Sequence, residues 1–215
     1  MKKVLVTGFE PFGGEAVNPA LEAIKLLEGK IVNGAQIIAR SLPVAQKRCI
    51  DVIVGEMKLH NPELVLAVGQ AGGRCDITVE RVAVNIDDFR IPDNDGNQPV
   101  DEPIVAGGPI AYYSTLPIKA VVEHLRTNGI PASVSNTAGT FVCNHLFYGL
   151  MHTLAQEGNL RRGGFVHIPY LPEQAARLGG QPSMALDMVV RGLEAAVSAA
   201  LVTGADIKLA EGKIC

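Results

Sequence analysis

The sequence predicts an α/β protein built on a mostly parallel, twisted sheet with helices on both faces. Three observations carry this. Residues 3–9 and 63–69 are short, almost continuously apolar runs, the pattern of strands buried on both faces. Such runs alternate with segments of helical periodicity, as in doubly covered sheets. Many of the 23 glycines and 13 prolines fall between those segments, at element ends. With 215 residues, 47% of them apolar and 19% charged, the chain can build one large core and is marginal for two, so 1–215 is expected to be a single domain.

Taken in order, residues 3–9 form the first strand. A loop, Glu10-Pro11-Phe12-Gly13-Gly14, follows it. Asn18-Pro19 then supplies an N-cap and a first-turn proline for a helix reaching about Leu27. The loop matches neither G-x-G-x-x-G nor a Walker motif, and Phe9, Pro11 and Phe12 make it an apolar wall rather than an anion cradle. Residues 35–41 are a second strand, stopped by Pro43, and residues 44–59 a helix with apolar positions at 50, 53, 54 and 57. Asn61-Pro62 breaks the chain before the third strand, 63–69. Residues 77–86 read as one extended segment with Glu80 on the same face as Val82, Val84 and Ile86. Residues 87–108 are polar and turn-rich, a long excursion from the sheet. The spacing of Asp93, Asp95 and Asn97 there lacks the closing glutamate of a calcium loop. A helix over 116–128, a strand over 132–136, a helix over 141–157, a strand over 162–168 and a last helix from about Gln181 to Leu201 complete the pattern.

Composition excludes several classes. Net charge is −3 and the nearest thing to a basic cluster is Arg161-Arg162, so no nucleic-acid footprint is expected. No apolar run reaches the 18 residues of a membrane span, and Glu10 and Pro11 interrupt the apolar run after Lys2-Lys3 before it can act as an export signal. Cysteines 49, 75, 143 and 215 form no C-x-x-C pair and read as reduced thiols of a cytoplasmic protein. His145 and His152, even with Cys143, do not have metal-ligand spacing, so no zinc site is expected there.

One constellation carries chemistry. Cys143 falls in the first turn of a helix after a strand, where unpaired N–H groups and the helix dipole favour a thiolate. The alternative is a small buried hydrophobe. His167 stands at the C-terminal end of the strand 162–168, on the sheet edge expected to hold the helix start with Cys143. A Cys–His pair needs a third group to orient the imidazole. Glu80 is the best placed carboxylate, with Asp76 and Asp87 behind it; a rim ion pair to Arg74 is the other reading of Glu80. No G-x-S-x-G elbow offers a serine instead.

Several stretches together resemble the pyroglutamyl-peptidase I (pyrrolidone-carboxylate peptidase) family: residues 7–13 with Asn18-Pro19; 69–74 running into 79–85; Arg90-Ile91-Pro92-Asp93-Asn94; 135–144; and 165–169. The resemblance runs across nearly the whole chain. It implies a three-layer α/β/α sandwich around a mostly parallel, partly mixed twisted sheet, of phosphorylase/hydrolase-like type. It implies a cytoplasmic thiol protease, a hydrolase that removes N-terminal pyroglutamate from peptides through a thioester, with no cofactor, commonly as a homotetramer. Carried over by motif, Cys143 is the nucleophile, His167 the general base and Glu80 the orienting carboxylate. Phe9, Phe12 and Phe141, with Val142, fall at the substrate pocket, Gln70 offers backbone contacts to the lactam, and Arg90 stands near the thiol in a possible oxyanion role. Ala20 and Phe89 depart from the usual pattern without touching the triad. The runner-up is a binding or phosphorylase-like α/β protein that holds a nucleoside in the same cleft, with Glu80 and Arg90 as contacts.

Overall fold

The computed structural model describes residues 1–212; Cys215 lies outside them. A seven-stranded mixed sheet forms the middle layer, in the order β2-β3-β1-β4-β9-β5-β8. Its parallel centre is β3 (Ala35–Leu42), β1 (Lys2–Phe9), β4 (Leu64–Gln70) and β9 (Arg162–Ile168). The strand β5 (Ile77–Glu80) pairs antiparallel with β9 and parallel with β8 (Ala132–Ser135). Side chains alternate between two cores: Val4, Val6 and Val68 face one layer of helices, Leu5, Phe9 and Phe165 the other. The first layer is α1 (Pro19–Lys25), α3 (Ile118–Thr127) and α6 (Leu186–Val202); the second is α2 (Arg48–His60) and α4 (Val142–Gln156). This is the three-layer α/β/α sandwich expected.

Local chemistry sets the element ends. Asn18 caps α1 by accepting from the Ala20 N–H at 3.0 Å, with Pro19 in the first turn. Gly8 permits α1 to lie close to the sheet: a Cβ there would stand 2.8 Å from the Ala20 carbonyl carbon. Helix α2 begins four residues later than its apolar spacing suggests. The backbone before it is held by side chains instead: the Val44 N–H donates to Glu10, the Gln46 N–H to Asp93 and the Lys47 N–H to His145. Helix α6 likewise starts late, because Met184 N–H donates to the Tyr170 carbonyl and residues 170 and 183 form a bridge. Three elements go beyond those expected from the sequence: β2 (Ile31–Val32), β7 (Ala111–Tyr113) and α5 (Pro172–Leu178). The first makes a hairpin with β3 across Asn33-Gly34, both at positive φ, the geometry of a two-residue turn.

The extended segment 77–86 is divided. Arg81 N–H donates to the Ser135 carbonyl of the main sheet, but its own carbonyl accepts from Ser114 N–H. Pairing therefore passes from β5 to a separate two-stranded ribbon of β6 (Val82–Val84) and β7. The excursion after β6 is pinned, with Asp88 N–H donating to Thr140 O and Asn94 N–H to Val44 O. Within it, Asp93 accepts from the backbone of Gln46, Asp95 and Asn97. Against the effect of burial, those bonds hold its carboxyl below the usual range. Its spacing with Asp95 and Asn97 thus closes a turn.

Candidate active site

Strand alternation puts Glu80 and His167 on the α2/α4 face of the sheet, since their neighbours Val79 and Val166 face the other core. Thr78 is level with His167 across the β5–β9 pair, and Gly69 is level with His167 across β4–β9. His167 Nδ1 donates to Glu80 Oε1 at 2.8 Å, and both side chains are buried. That bond leaves Nε2 as the acceptor nitrogen. The same Glu80 oxygen accepts from Arg74 Nη1 at 2.7 Å. The ion pair to Arg74 and the bond to His167 therefore coexist.

Cys143 reaches this pair by a route other than the edge rule. Strand β8 is separated from β9 by β5 and runs against it, so its C-terminal end does not share the edge of His167. Residues 136–141 carry the chain to the start of α4 instead. Cys143 is the second residue of that helix. Its thiol sits over Gly69, where no larger residue would fit: a Cβ would lie 3.0 Å from Cys143 Sγ and 2.8 Å from Phe165 Cζ. Gly69 is thus the slot that admits the thiol next to the register position of His167. The start of α4 is fixed by Asn144, whose side chain accepts from Val84 N–H and donates to the carbonyls of Val84 and Ile86.

A cavity of about 600 Å³ opens over the thiol, lined in part by Phe12, Gln70, Arg74, Phe141, Cys143 and His167. The rings of Phe12 and Phe141 lie 6.2 Å apart, and Phe89 supports Phe141 edge-on at 4.6 Å. Phe9 does not line the cavity; it is buried against Phe165 at 6.5 Å. Val142 is also buried in the core. Gln70 Oε1 accepts from Gln174 Nε2, which holds its side chain aside. Arg90 is exposed at the cavity wall. Tyr170 lines the wall against Gly72; its only signal in the sequence is its place after a strand-ending proline. Glu10 turns from the cavity to accept from Val44 N–H and Asn94, whereas Asp88 brings to the wall a carboxylate that its sequence context does not mark.

Burial lowers the His167 pKa, outweighing the hydrogen bond and charge of Glu80, which raise it; Arg74 also lowers it. Burial, with the Glu80 charge next, pushes the Cys143 thiol up to about 12, against the lowering effect of Arg74. The free cavity therefore holds a neutral thiol and a neutral imidazole near pH 7. Burial thus opposes the thiolate that the helix start alone would favour. Asp87 is taken by another imidazole, accepting from His145 Nδ1 at 2.7 Å. His152 bonds with the Tyr112 hydroxyl. Among the described residues no group of three His, Cys, Asp or Glu side chains could hold a metal ion. No helix among them is long and apolar enough to cross a membrane.

A thiol, an imidazole backed by a carboxylate and an aromatic-walled cleft, all on one face of an α/β/α sandwich, are the parts of a cysteine hydrolase. Comparison with known proteins narrows the class. A family model described as pyroglutamyl peptidase matches residues 2–203. The chain is 58% identical over 216 residues to the pyrrolidone-carboxylate peptidase of Cupriavidus necator, covering 100% of both chains. It is 56% identical over 207 residues to that of Bacillus cytotoxicus, covering 96% of each. The crystal structure of pyroglutamyl peptidase I from Bacillus amyloliquefaciens superposes with a TM-score of 0.95 at 51% identity, over 97% of this chain and 99% of that one. The pyrrolidone carboxyl peptidase of Thermococcus litoralis gives 0.94 at 43% identity, over 98% and 100%. The chain belongs to the pyroglutamyl peptidase family.

Proposed function

We propose that Cys143 is the nucleophile, His167 the general base and acid, and Glu80 the carboxylate that orients it. The reaction is that of the family: the enzyme is a thiol exopeptidase that removes N-terminal pyroglutamate from peptides by a cysteine-peptidase mechanism. One observation supports the residue roles above others. His167 is bound to Glu80 through Nδ1 and is level with Gly69, the residue over which the Cys143 thiol lies.

The lactam ring of pyroglutamate packs against Phe12 and Phe141, whose rings cover its methylenes, while backbone groups near Gln70 pair its N–H and C=O. Cys143 Sγ attacks the pyroglutamyl carbonyl carbon as its proton passes to His167 Nε2. The oxyanion forms beside the first turn of α4, where the amides of Val142 and Cys143 have no intrahelical partner, with Arg90 on the cavity wall as a further donor. The C–N bond breaks, His167 returns the proton to the leaving amine, and a thioester remains. Water, deprotonated by His167, releases pyroglutamate and restores the thiol. Because thiol and imidazole start neutral, the thiol proton must pass to His167 before or during attack.

The physiological assembly is proposed to be a homo-oligomer, a tetramer by resemblance, in the cytoplasm. Support comes from apolar side chains exposed around β7, where Ile110 is 88% and Tyr113 74% accessible. Light scattering across a dilution series tests it. The residue roles are tested by iodoacetamide labelling with peptide mapping. Modification at Cys143 must abolish turnover and be slowed by a pyroglutamyl peptide, while modification at the exposed Cys75 leaves turnover intact.

A further inference from the structure

Arg74 takes no part in the proton transfers of the reaction, yet its bonds converge on the triad. It leaves the loop after β4 with its stem packed and its side chain 23% exposed on the cavity wall. Nη1 donates to Glu80 Oε1 at 2.7 Å and to the Thr78 hydroxyl in the same strand. Nη2 donates to the Thr137 carbonyl, in the segment that leads to Cys143. One guanidinium thus ties the catalytic carboxylate, its strand and the loop that delivers the nucleophile. Glu80 has no other support: its second oxygen, Oε2, is buried and has no hydrogen-bond partner among the described residues. Among the described residues every hydrogen bond to the Glu80 side chain runs through Oε1, shared by Arg74 and His167.

We propose that Arg74 is a positioning residue of the triad, which fixes Glu80 Oε1 for His167 and balances the Glu80 charge so that His167 stays neutral and able to accept the thiol proton. The inference rests on the assignment of Glu80, Cys143 and His167 as the triad. The electrostatics follow from the geometry. An unbalanced carboxylate in contact with a buried imidazole favours its protonated form, which cannot act as a base. A cation on the same carboxylate oxygen opposes that. The charged and titratable groups facing the pair among the described residues are few: Glu80 from β5, Arg74 from the loop after β4, the Cys143 thiol from α4, and Asp88, Arg90 and Tyr170 around the cavity. Of these, Glu80 favours the protonated imidazole and Arg74 opposes it. Lysine would retain the charge but lose the planar fork that reaches Glu80, Thr78 and Thr137 together.

The test is the pH dependence of kcat/KM for Arg74→Met, Arg74→Lys, Glu80→Gln and the Arg74→Met/Glu80→Gln double variant, with melting temperatures alongside. Activity falls on the acid side as His167 takes up a proton. Arg74→Met is expected to move that acid limb to higher pH and to reduce kcat about ten- to a hundred-fold, the loss that follows removal of a hydrogen bond to a buried charged group. Glu80→Gln is expected to move the limb the other way. Arg74→Lys keeps the limb near its wild-type position. In the double variant, which leaves no unpaired charge and so guards against misfolding, the kcat penalty of Arg74→Met shrinks, because its target is already neutral. An acid limb in Arg74→Met that overlays wild type, or a raised KM with kcat unchanged, overturns the proposal and makes Arg74 a structural or substrate contact. Failure of the triad reading itself shows separately, as a Cys143→Ser variant that still turns over.

Discussion

The slot at Gly69 makes the sharpest demand on the fold, and Gly69→Ala tests it with a single methyl. The added carbon would lie 2.8 Å from Phe165 Cζ and 3.0 Å from Cys143 Sγ. Ordinary carbon contacts begin at about 3.5 Å, so the ring must retreat by about 0.7 Å and the thiol by about 0.5 Å. The ring has little freedom. Phe165 is fully buried, with Phe147 at 5.9 Å, Phe9 at 6.5 Å and His167 at 4.9 Å between ring centroids. Movement of the ring is therefore passed to the catalytic imidazole, and movement of the thiol acts on the nucleophile directly. Overpacking of this kind costs about 1–3 kcal/mol, which for a chain of this size lowers Tm by about 2–12 °C. A misplacement of about 1 Å at the reacting atoms can cost about a hundred-fold, so kcat is expected to fall about ten- to a hundred-fold while the protein stays folded at 25 °C. The assay is kcat and KM on a fluorogenic pyroglutamyl amine, with Tm by calorimetry and the rate of Cys143 alkylation. Wild-type kcat together with an unchanged alkylation rate would refute the claim that Gly69 makes room for the thiol.

Three other outcomes follow from the site. Cys143→Ser is expected to keep its Tm and lose almost all turnover, whereas Cys49→Ser, Cys75→Ser and Cys215→Ser keep most of it; kcat/KM for the four variants decides, and burial that pushes the Cys49 thiol pKa up already marks it as inert. Glu80→Gln should lower kcat with KM nearly unchanged, the pattern of an interaction made mainly in the transition state; a raised KM with intact kcat would make Glu80 a substrate contact. Pyroglutamyl amines should be preferred over glutaminyl, glutamyl and prolyl ones by roughly 10⁴ in kcat/KM, because the free ammonium of the last three loses water against Phe12 and Phe141 and the lactam bonds go unmade. Asp88 is the carboxylate on the wall that could offset part of this, so an Asp88→Asn variant that leaves the ratio unchanged keeps the explanation on the aromatic walls and backbone.

The fold was legible where a single segment carries its own signal. Continuous apolar runs marked the central strands, and Asn18-Pro19 marked the start of α1. Signals failed where a distant partner decides. Helix α2 starts late because Glu10, Asp93 and His145 claim the backbone before it. Residues 77–86 change sheets because Ser114 takes the Arg81 carbonyl. The β2 hairpin is different, since Asn33-Gly34 is a turn signal that stands in the sequence itself. At the site, the residue types and spacings of Glu80, Cys143 and His167 were readable, but the geometry that brings them together was not. A shared parallel edge was expected, and β5 and β8 run against β9. Phe9 reads as a wall residue from its loop and packs beneath the wall instead, because the last residue of β1 points into the α2/α4 core.

Two buried carboxylate–imidazole pairs in the same molecule show what separates a catalytic pair from a structural one. Glu80 holds His167 and Asp87 holds His145 through the same nitrogen, Nδ1, at 2.8 and 2.7 Å. The difference is at Nε2. In His145 that nitrogen accepts from the Lys47 N–H at 3.0 Å, and Asp87 also accepts from Gln46 Nε2 at 3.0 Å. Both members are thereby spent on the residues that precede α2, where Lys47 has a positive φ that an isolated chain would avoid. In His167 the nitrogen opens to the cavity, and no donor among the described residues occupies it. A buried acid–base pair can move a proton only if one acceptor is left unfilled, and leaving one unfilled requires a wall with no donor at that point. Gly69 supplies part of that wall: it is level with His167 and carries no side chain, so the neighbour in that space is the Cys143 thiol.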